Sequence, residues 1–518
     1  MSSNKFQRSA RIANNLTISQ IGLFLAACGG SQTNTANTGN SKTSTSNTNT
    51  SLATIFTDSY NSPSNYGFME YYNDGSITVL PSDQSAAVTY IYSNEANPPA
   101  ETANLSGNQF IDGLLTPNHD ESSAMKWSST GNKTIISFSF MNSNSKLDYT
   151  DYVVNGDEAS IGVYNNQIQN FTDSQKGFIR KALSEWSDVA NIEFVEVKEL
   201  GNDVGTIRFG ATTYDDDSWG WTWFGPTNNF FSSAADIWLP PNTMNGENSA
   251  NYGNHHLAGV AWAPGTNEYL TLMHEIGHAI GLEHPHDGFV FPNEYDSTKF
   301  TVMSYQTYRN DFLESSPMVY DIAAVQYLYG TNFSTNSSNT VYQFKPGIGT
   351  ADVQPMLDTI WDGGGIDLID MSFLYNSCDI NLNNGTYSKV GYTKSGWVND
   401  YNLGIALGTI IENANGGSAS DIIRGNEYTN QIDGKGGNDI IYGGGGSDIF
   451  VCSVGGGSDI IKDFDPNEDL VAFFDGQNYT KQFSESVNAS GDLVLSMVDN
   501  TGSLTLENIV LGTEIYIA

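Results

Sequence analysis

Eleven residues, His274-Glu275-Ile276-Gly277-His278-Ala279-Ile280-Gly281-Leu282-Glu283-His284, carry the densest chemistry in the chain. Residues four apart share one helix face, so His274 and His278 can present their imidazoles to the same ion. Zinc takes nitrogen donors in a tetrahedral arrangement and, in a catalytic site, keeps one position open. His284 stands six residues past His278 and cannot reach that ion along a continuing helix. Gly281 supplies the break, because glycine adopts the left-handed backbone that ends a helix and turns the chain. Glu275 lies one step round from His274, where its carboxylate can take a proton from water rather than bind the metal. The stretch reads as a three-histidine site for one catalytic zinc, with Glu275 as general base. Six of the seven histidines fall between His255 and His286. His255, His256 and His286 are expected outside the ligand set, because three histidines and a water complete it.

The elements that must hold this site are legible upstream. Lys133 to Phe140 alternates as a first strand, and Thr206-Ile207-Arg208-Phe209 and Asp236-Ile237-Trp238-Leu239 are two more. A helix starts at Thr172, with Gln175 three residues on completing a capping box. Phe178, Ile179, Ala182, Leu183, Trp186, Val189 and Ala190 recur at helical spacing and predict one buried face. Strand, helix, strands and zinc helix describe an α/β layer with the site beneath the sheet. Ile237 to Leu239, stopped by Pro240-Pro241, is expected to be an edge on which an extended peptide adds as a further strand. Tyr320 to Tyr329 reads as a later helix closed by Gly330, and the polar run 331–340 marks a boundary.

Lys and Arg total 21 against 58 Asp and Glu, a formal net charge of -37. That excess repels nucleic acid and anionic membrane and suits a chain neutralised by cations. Three cysteines are too few for a disulfide framework. At 518 residues the chain is long enough for several domains.

Lys5, Arg8 and Arg11 precede the apolar stretch Leu16 to Ala27, which ends Leu25-Ala26-Ala27-Cys28-Gly29. Residues 1–28 resemble a bacterial lipoprotein signal, with Cys28 as the residue that would carry lipid. Residues 29–53 are almost entirely small and polar and predict a disordered tether. Residues 54–107 are rich in tyrosine, with strand-like runs at Val79-Leu80 and Val88 to Tyr92, and are either a small β-rich piece or a pro-segment.

Glycine-rich nine-residue units start at Gly416, Gly425, Gly434 and Gly443. Their sixth residues are Asp421, Asn430, Asp439 and Asp448, and their eighth are Ile423, Ile432, Ile441 and Phe450. After a two-residue slip a fifth unit puts Asp459 sixth and Ile461 eighth. This is the RTX nonapeptide: six residues turn and offer oxygens to Ca²⁺, and three make a strand with one apolar residue inward. Asp421, Asp439, Asp448 and Asp459 are the expected calcium residues, holding several structural ions between coils of a parallel β-roll; the unit with Asn430 is degenerate. Cys378 and Cys452 are expected as small apolar residues in or near the roll.

Downstream of the histidines stands Thr301-Val302-Met303-Ser304-Tyr305. With His284-Pro285 and Met303-Ser304-Tyr305, the chain resembles the serralysin family of metzincin zinc metalloproteases. The resemblance extends to Thr359 to Gly365, Gly408 to Asn415, the repeats and Asp459 to Phe464, and so to roughly 108–518. It implies a multidomain chain: an α/β metzincin-type protease domain at 108–330 and an all-β RTX β-roll domain at 341–518. It implies further that Met303 floors the metal, and that Tyr305 can ligate zinc at rest and swing to hold an oxyanion. Peptide or protein substrates, a monomeric state and a secreted or surface-held location follow from it. Glu514 to Ala518 resembles the ending read by a type I secretion apparatus, whereas Cys28 implies the general route and a lipid anchor. The C-terminal signal is the favoured reading for export, with lipidation of Cys28 left open. A rival reading is a catalytically idle RTX surface protein that binds or adheres. Loss of Glu275, a zinc histidine or Tyr305 would mark it, and none is lost.

Overall fold

The computed structural model describes residues 98–118, 121–145, 168–199, 204–212, 219–223, 225–226, 235–240, 262–308, 313–343, 357–390, 401–480, 482–499 and 501–517. Cys28, the polar stretch 29–53, the runs at 79–80 and 88–92, and His255 and His256 lie outside them.

Two short strands, β1 (Ala100–Ala103) and β2 (Ala124–Trp127), pair antiparallel around the single-turn helix α1 (Gln109–Asp112). The main layer then assembles from β3 (Thr134–Phe140), β4 (Ile168–Gln169), β5 (Ile192–Glu196), β6 (Ile207–Thr212), β7 (Trp221–Trp223) and β8 (Asp236–Leu239). Its order is β5-β3-β6-β8-β7, with β4 paired to β6 off this path. β3, β5, β6 and β8 are parallel, so a helix must return the chain between β3 and β5. That helix is α2 (Asp173–Val189), begun by the capping box of Thr172 and Gln175. Ile179, Ala182, Leu183, Trp186 and Val189 form its buried face. Helix α3 (Asn267–Ala279), which bears His274 and His278, and α4 (Val319–Tyr329) pack against the same core.

The expectation that Ile237 to Leu239 is a free edge is corrected. β8 is flanked on both sides, by β6 with Phe209 opposite Ile237 and by β7 with Thr222 opposite Ile237. Trp238 is fully buried, its ring stacked on Trp221 at 6.5 Å. Among the described residues the edge on this side of the sheet is β7, which runs antiparallel to β8; β5 is the other edge. Three residues are too few for an alternation to register in sequence, which is why β7 was not legible.

Past α4, short parallel strands alternate between two facing sheets. Ile422–Arg424 pairs with Ile440–Tyr442 in one sheet, and Gln431–Asp433 pairs with Ile449–Ser453 in the other. Spatial neighbours are therefore 18 residues apart, two nine-residue units per coil. Ile423, Ile432, Ile441, Phe450 and Ile461 are all fully buried between the sheets. Cys378 and Cys452 form no disulfide with each other and are buried in the same core. The polar run 331–340 is held between the two parts, with Asn332 Nδ2 donating to Ser187 O at 2.8 Å and Trp361 Nε1 donating to Asn332 O at 2.9 Å. Leu357, Trp361, Tyr387 and Ala406 pack into the first core rather than the roll's.

Candidate active site and metal centre

α3 is started by Thr266, whose hydroxyl accepts from Tyr269 N, and it stops at Ala279. Gly281 takes φ +102°, the positive value expected of it, and a side chain there would strike Met125 O. The turn is gripped from three sides. Trp127 Nε1 donates to Ala279 O at 2.8 Å, Tyr329 OH donates to Ile280 O at 2.6 Å, and Thr116 N donates to Gly281 O at 2.9 Å. Leu115 bridges Leu282, so the chain leading to His284 is fixed by residues far away in sequence.

The three histidines converge. Their Nε2 atoms form a triangle with sides of 3.2 Å (His274 to His284), 3.1 Å (His274 to His278) and 3.0 Å (His278 to His284). Each Nδ1 faces a group that can only accept: Val302 O at 2.8 Å, Leu282 O at 2.9 Å and Asp287 Oδ2 at 3.1 Å. The proton must sit on Nδ1 in all three neutral rings, leaving three Nε2 lone pairs aimed at one point. Three lone pairs converging on one point make a site for a cation. Donors about 2.0–2.1 Å from a tetrahedral zinc stand roughly 3.3–3.4 Å apart, close to the triangle observed. The donor set and its outer hydrogen bonds fit zinc.

Burial holds the His274 ring well below its ordinary value and brings His278 down to about 3, with the neighbouring histidine charges adding to both. His284 behaves differently. Burial disfavours its charged form, but Glu283 and Asp287 outweigh that and lift the ring above its usual value. Glu275 is buried and pushed up to about 7 by desolvation, partly offset by the Thr222 hydroxyl and His284.

Two family models match in tandem: Matrixin over residues 155–330, and the Peptidase M10 serralysin C terminal over 328–512. The chain is 34% identical over 295 residues to a metalloprotease AprA of Pseudomonas entomophila, covering 51% of this chain and 56% of that one. It is 34% identical over 306 residues to a serralysin of Proteus mirabilis (52% and 57%) and 35% identical over 303 residues to serralysin G of Dickeya chrysanthemi (50% and 57%). The chain belongs to the serralysin family of metzincins. The matched stretch spans just over half the length of these relatives.

In this serralysin-family chain Met303 is fully buried under α3, and a side chain at Gly277 would come within 2.5 Å of its sulfur. Gly277 is thus the close-approach position that lets the methionine seat beneath the helix. Tyr305 is 64% exposed, and its ring stacks on His274 at 5.5 Å and tilts over His284 at 4.4 Å. Burial, with Glu275 adding, pushes its phenol up to about 12, so it stays a proton donor at neutral pH. His286 does not join the triangle; its ring stacks on His284 at 5.1 Å and meets Tyr305 at 5.1 Å.

Several working residues were not legible in sequence. Asp321, fully buried in the first turn of α4, accepts from Thr301 Oγ1 at 2.6 Å, Val302 N at 2.7 Å and Met318 N at 2.9 Å. It thereby fixes the turn whose Val302 carbonyl orients His274. Its signal was a lone acid in the otherwise apolar run Val319 to Val325. Thr222 Oγ1 donates to Glu275 Oε2 at 2.7 Å, and nothing in the sequence around it points to this.

In the roll, Asp421, Asp439 and Asp459 stack in one column, with Asp439 Oδ1 accepting from Asp421 N and Asp459 Oδ1 from Asp439 N. Asp448 lies in the opposite column with Asn430, where Asp469, absent from the expected set, extends the ladder by accepting from Asp448 N. The spacing of 21 residues from Asp448 to Asp469, against the regular 18, hid it from the nine-residue period. Asp439 Oδ2 is buried with no hydrogen-bond partner, an oxygen that a cation would satisfy.

Proposed function

We propose that the chain is a zinc-dependent endopeptidase stabilised by calcium and active outside the cell. The observation that carries this is the triangle of three Nε2 lone pairs beside the buried carboxylate of Glu275. His274, His278 and His284 would hold a zinc ion, which polarises a carbonyl and makes water nucleophilic near neutral pH. The residues do the rest. Glu275 takes a proton from the attacking water and passes it to the leaving amine. The Tyr305 phenol, protonated at working pH and mobile because it is exposed, swings to donate a hydrogen bond to the developing oxyanion. β7, an edge running antiparallel to β8, supports a substrate that adds as one further strand.

Asp421, Asp439, Asp448 and Asp459 would take several calcium ions, an assignment supported by raised carboxyls and the unpartnered Asp439 oxygen. Export through a type I apparatus reading the C-terminus fits the RTX repeats. In the folded chain Tyr516–Ile517 pairs with Leu470–Phe474 and Ile515 is fully buried, so such a signal must be read before the roll closes. Lipidation of Cys28 is a separate question that intact-mass analysis answers. The domain division proposed is 108–330 and 341–518. The test is a digest of casein and a peptide library, with and without 1,10-phenanthroline, by wild type and Glu275→Gln. Chelator-sensitive cleavage that falls roughly 10²–10⁴-fold in Glu275→Gln is expected. Undiminished cleavage by the variant overturns the reading.

A further inference from the structure

We infer that Thr222 is a positioning residue for the general base: its hydroxyl pins one oxygen of Glu275 so that the other faces the reacting water. The inference rests on the peptidase reading above. Thr222 Oγ1 lies 2.7 Å from Glu275 Oε2 and 3.0 Å from the Glu275 main-chain oxygen. A hydroxyl has a single hydrogen, so the two acceptors compete for it. The carboxylate oxygen is the closer of the two, so the shorter bond takes the hydrogen. Glu275 is buried, so few other donors are available to hold it.

β7 is the edge beside β8, and alternate residues along a strand face the same side. Trp221 turns to the sheet and stacks on Trp238, while Thr222 and, two residues before it, Gly220 turn to α3. A side chain at Gly220 would press on Thr271 Cγ2 at 2.9 Å, Glu275 Cγ at 3.2 Å and Glu275 Oε1 at 3.3 Å. Gly220 leaves room for one carboxylate oxygen and Thr222 binds the other. The two positions together select one orientation of the Glu275 carboxylate. They do so from the edge strand on which the proposed substrate would lie, so a peptide that docks there bears directly on the element that sets the base.

The device has a sharp test, because valine is nearly the same shape as threonine without the hydroxyl. Thr222→Val and Thr222→Ser are compared with wild type in the full calcium- and zinc-loaded protein. Thr222→Val is expected to lower kcat about tenfold with KM and bound zinc unchanged, since orientation acts on the chemical step. Thr222→Ser, which restores the hydroxyl, recovers most of kcat. Crystal structures give a readout independent of turnover: the Glu275 carboxylate rotates or splits into two conformers in Thr222→Val and stays single in Thr222→Ser. A valine variant with wild-type kcat and a single unmoved carboxylate overturns the inference. So does an equal loss of kcat in both variants, or a change confined to KM. If wild type cleaves and only the valine result fails, the peptidase reading stands and the role of Thr222 falls; an inactive wild type sinks both.

Discussion

The histidine triangle and the aspartate columns of the roll face the same problem, several donors brought to one point, and solve it in opposite ways. In the triangle the donors are neutral nitrogens. Each ring is locked from behind, by Val302 O, Leu282 O and Asp287, on elements that pack into the hydrophobic core. In the roll the donors are carboxylates on turns, and the columns Asp421-Asp439-Asp459 and Asp448-Asp469 set acidic groups side by side. Neutral donors can be pre-organised without their metal. Charged ones oppose their own assembly until a cation or a proton arrives.

The largest expected effects come from removing each metal separately. Stripping zinc with 1,10-phenanthroline in excess calcium should abolish turnover while far-UV circular dichroism and the thermal midpoint stay close to those of the loaded protein. Cooperative loss of helix signal on zinc removal would erase the contrast drawn here. Chelating calcium with EGTA should instead unfold the C-terminal strands, seen as loss of β signal and rapid proteolysis beyond residue 340. A calcium-independent spectrum would show that the roll is pre-organised after all.

Next in size is a pH effect with a defined sign. Burial raises the roll's acids: Asp421 to about 6, Asp448 to about 7, and Asp439 and Asp459 upward as well, the charge of Asp459 adding to the rise in Asp439. An unfolded Asp titrates near ~3.9, so the folded roll binds more protons between roughly pH 4 and 7. Stability gained from those protons is full below that window and is lost as pH rises through it. Without added calcium, the β signal of the roll should therefore be retained near pH 5 and lost by pH 8, and saturating calcium should flatten the dependence. A β signal that grows with pH in calcium-free buffer contradicts the assignment.

A smaller effect separates the two regions by mutation. Asp287→Ala removes the acceptor behind His284 and should weaken zinc about tenfold in a chelator competition, the low end for an outer partner because Asp287 is largely exposed. The calcium midpoint of the roll should not move. The smallest effect tests whether the regions are independent at all. Lys299, four residues before Met303, has its ammonium over the rings of Tyr308, Tyr387 and Tyr401 at 4.7, 4.8 and 5.5 Å, and its carbonyl accepts from Tyr387 OH. Tyr387 and Tyr401 come from the C-terminal part. Tyr387→Phe should cost about 1 kcal/mol and shift both unfolding transitions together. A shift in only one would mean that the contact does not couple them.

Much of this molecule was readable one residue at a time. Local periodicities and local caps announce α2, the zinc helix, the break at Gly281 and the nine-residue repeat, because each depends on neighbours within a few positions. The same locality explains the misses. β7 is too short to show a pattern, so the sheet's edge was placed one strand inside. Asp469 follows an irregular slip, so the second acidic column looked shorter than it is.

Sequence alone therefore determined which atoms could ligate and what ions they ask for, since donor type and spacing along one helix are local chemistry. It also indicated that the C-terminal part winds as coils, because glycine-rich turns alternating with an apolar residue every ninth position bury that residue when the units stack. Tertiary structure decided everything that depends on chain segments far apart. Thr116, Trp127 and Tyr329 grip the turn at Gly281, Asp321 fixes the loop that orients His274, and Thr222 reaches Glu275 across 53 positions. It also sorted adjacent repeat aspartates onto opposite sheets, so the carboxylates that repel are those 18 to 21 positions apart rather than nine. A ligand set can be written into a short stretch of chain, but holding each ligand in one orientation takes hydrogen bonds from behind. Those partners come from whichever segments the packing of the core brings there.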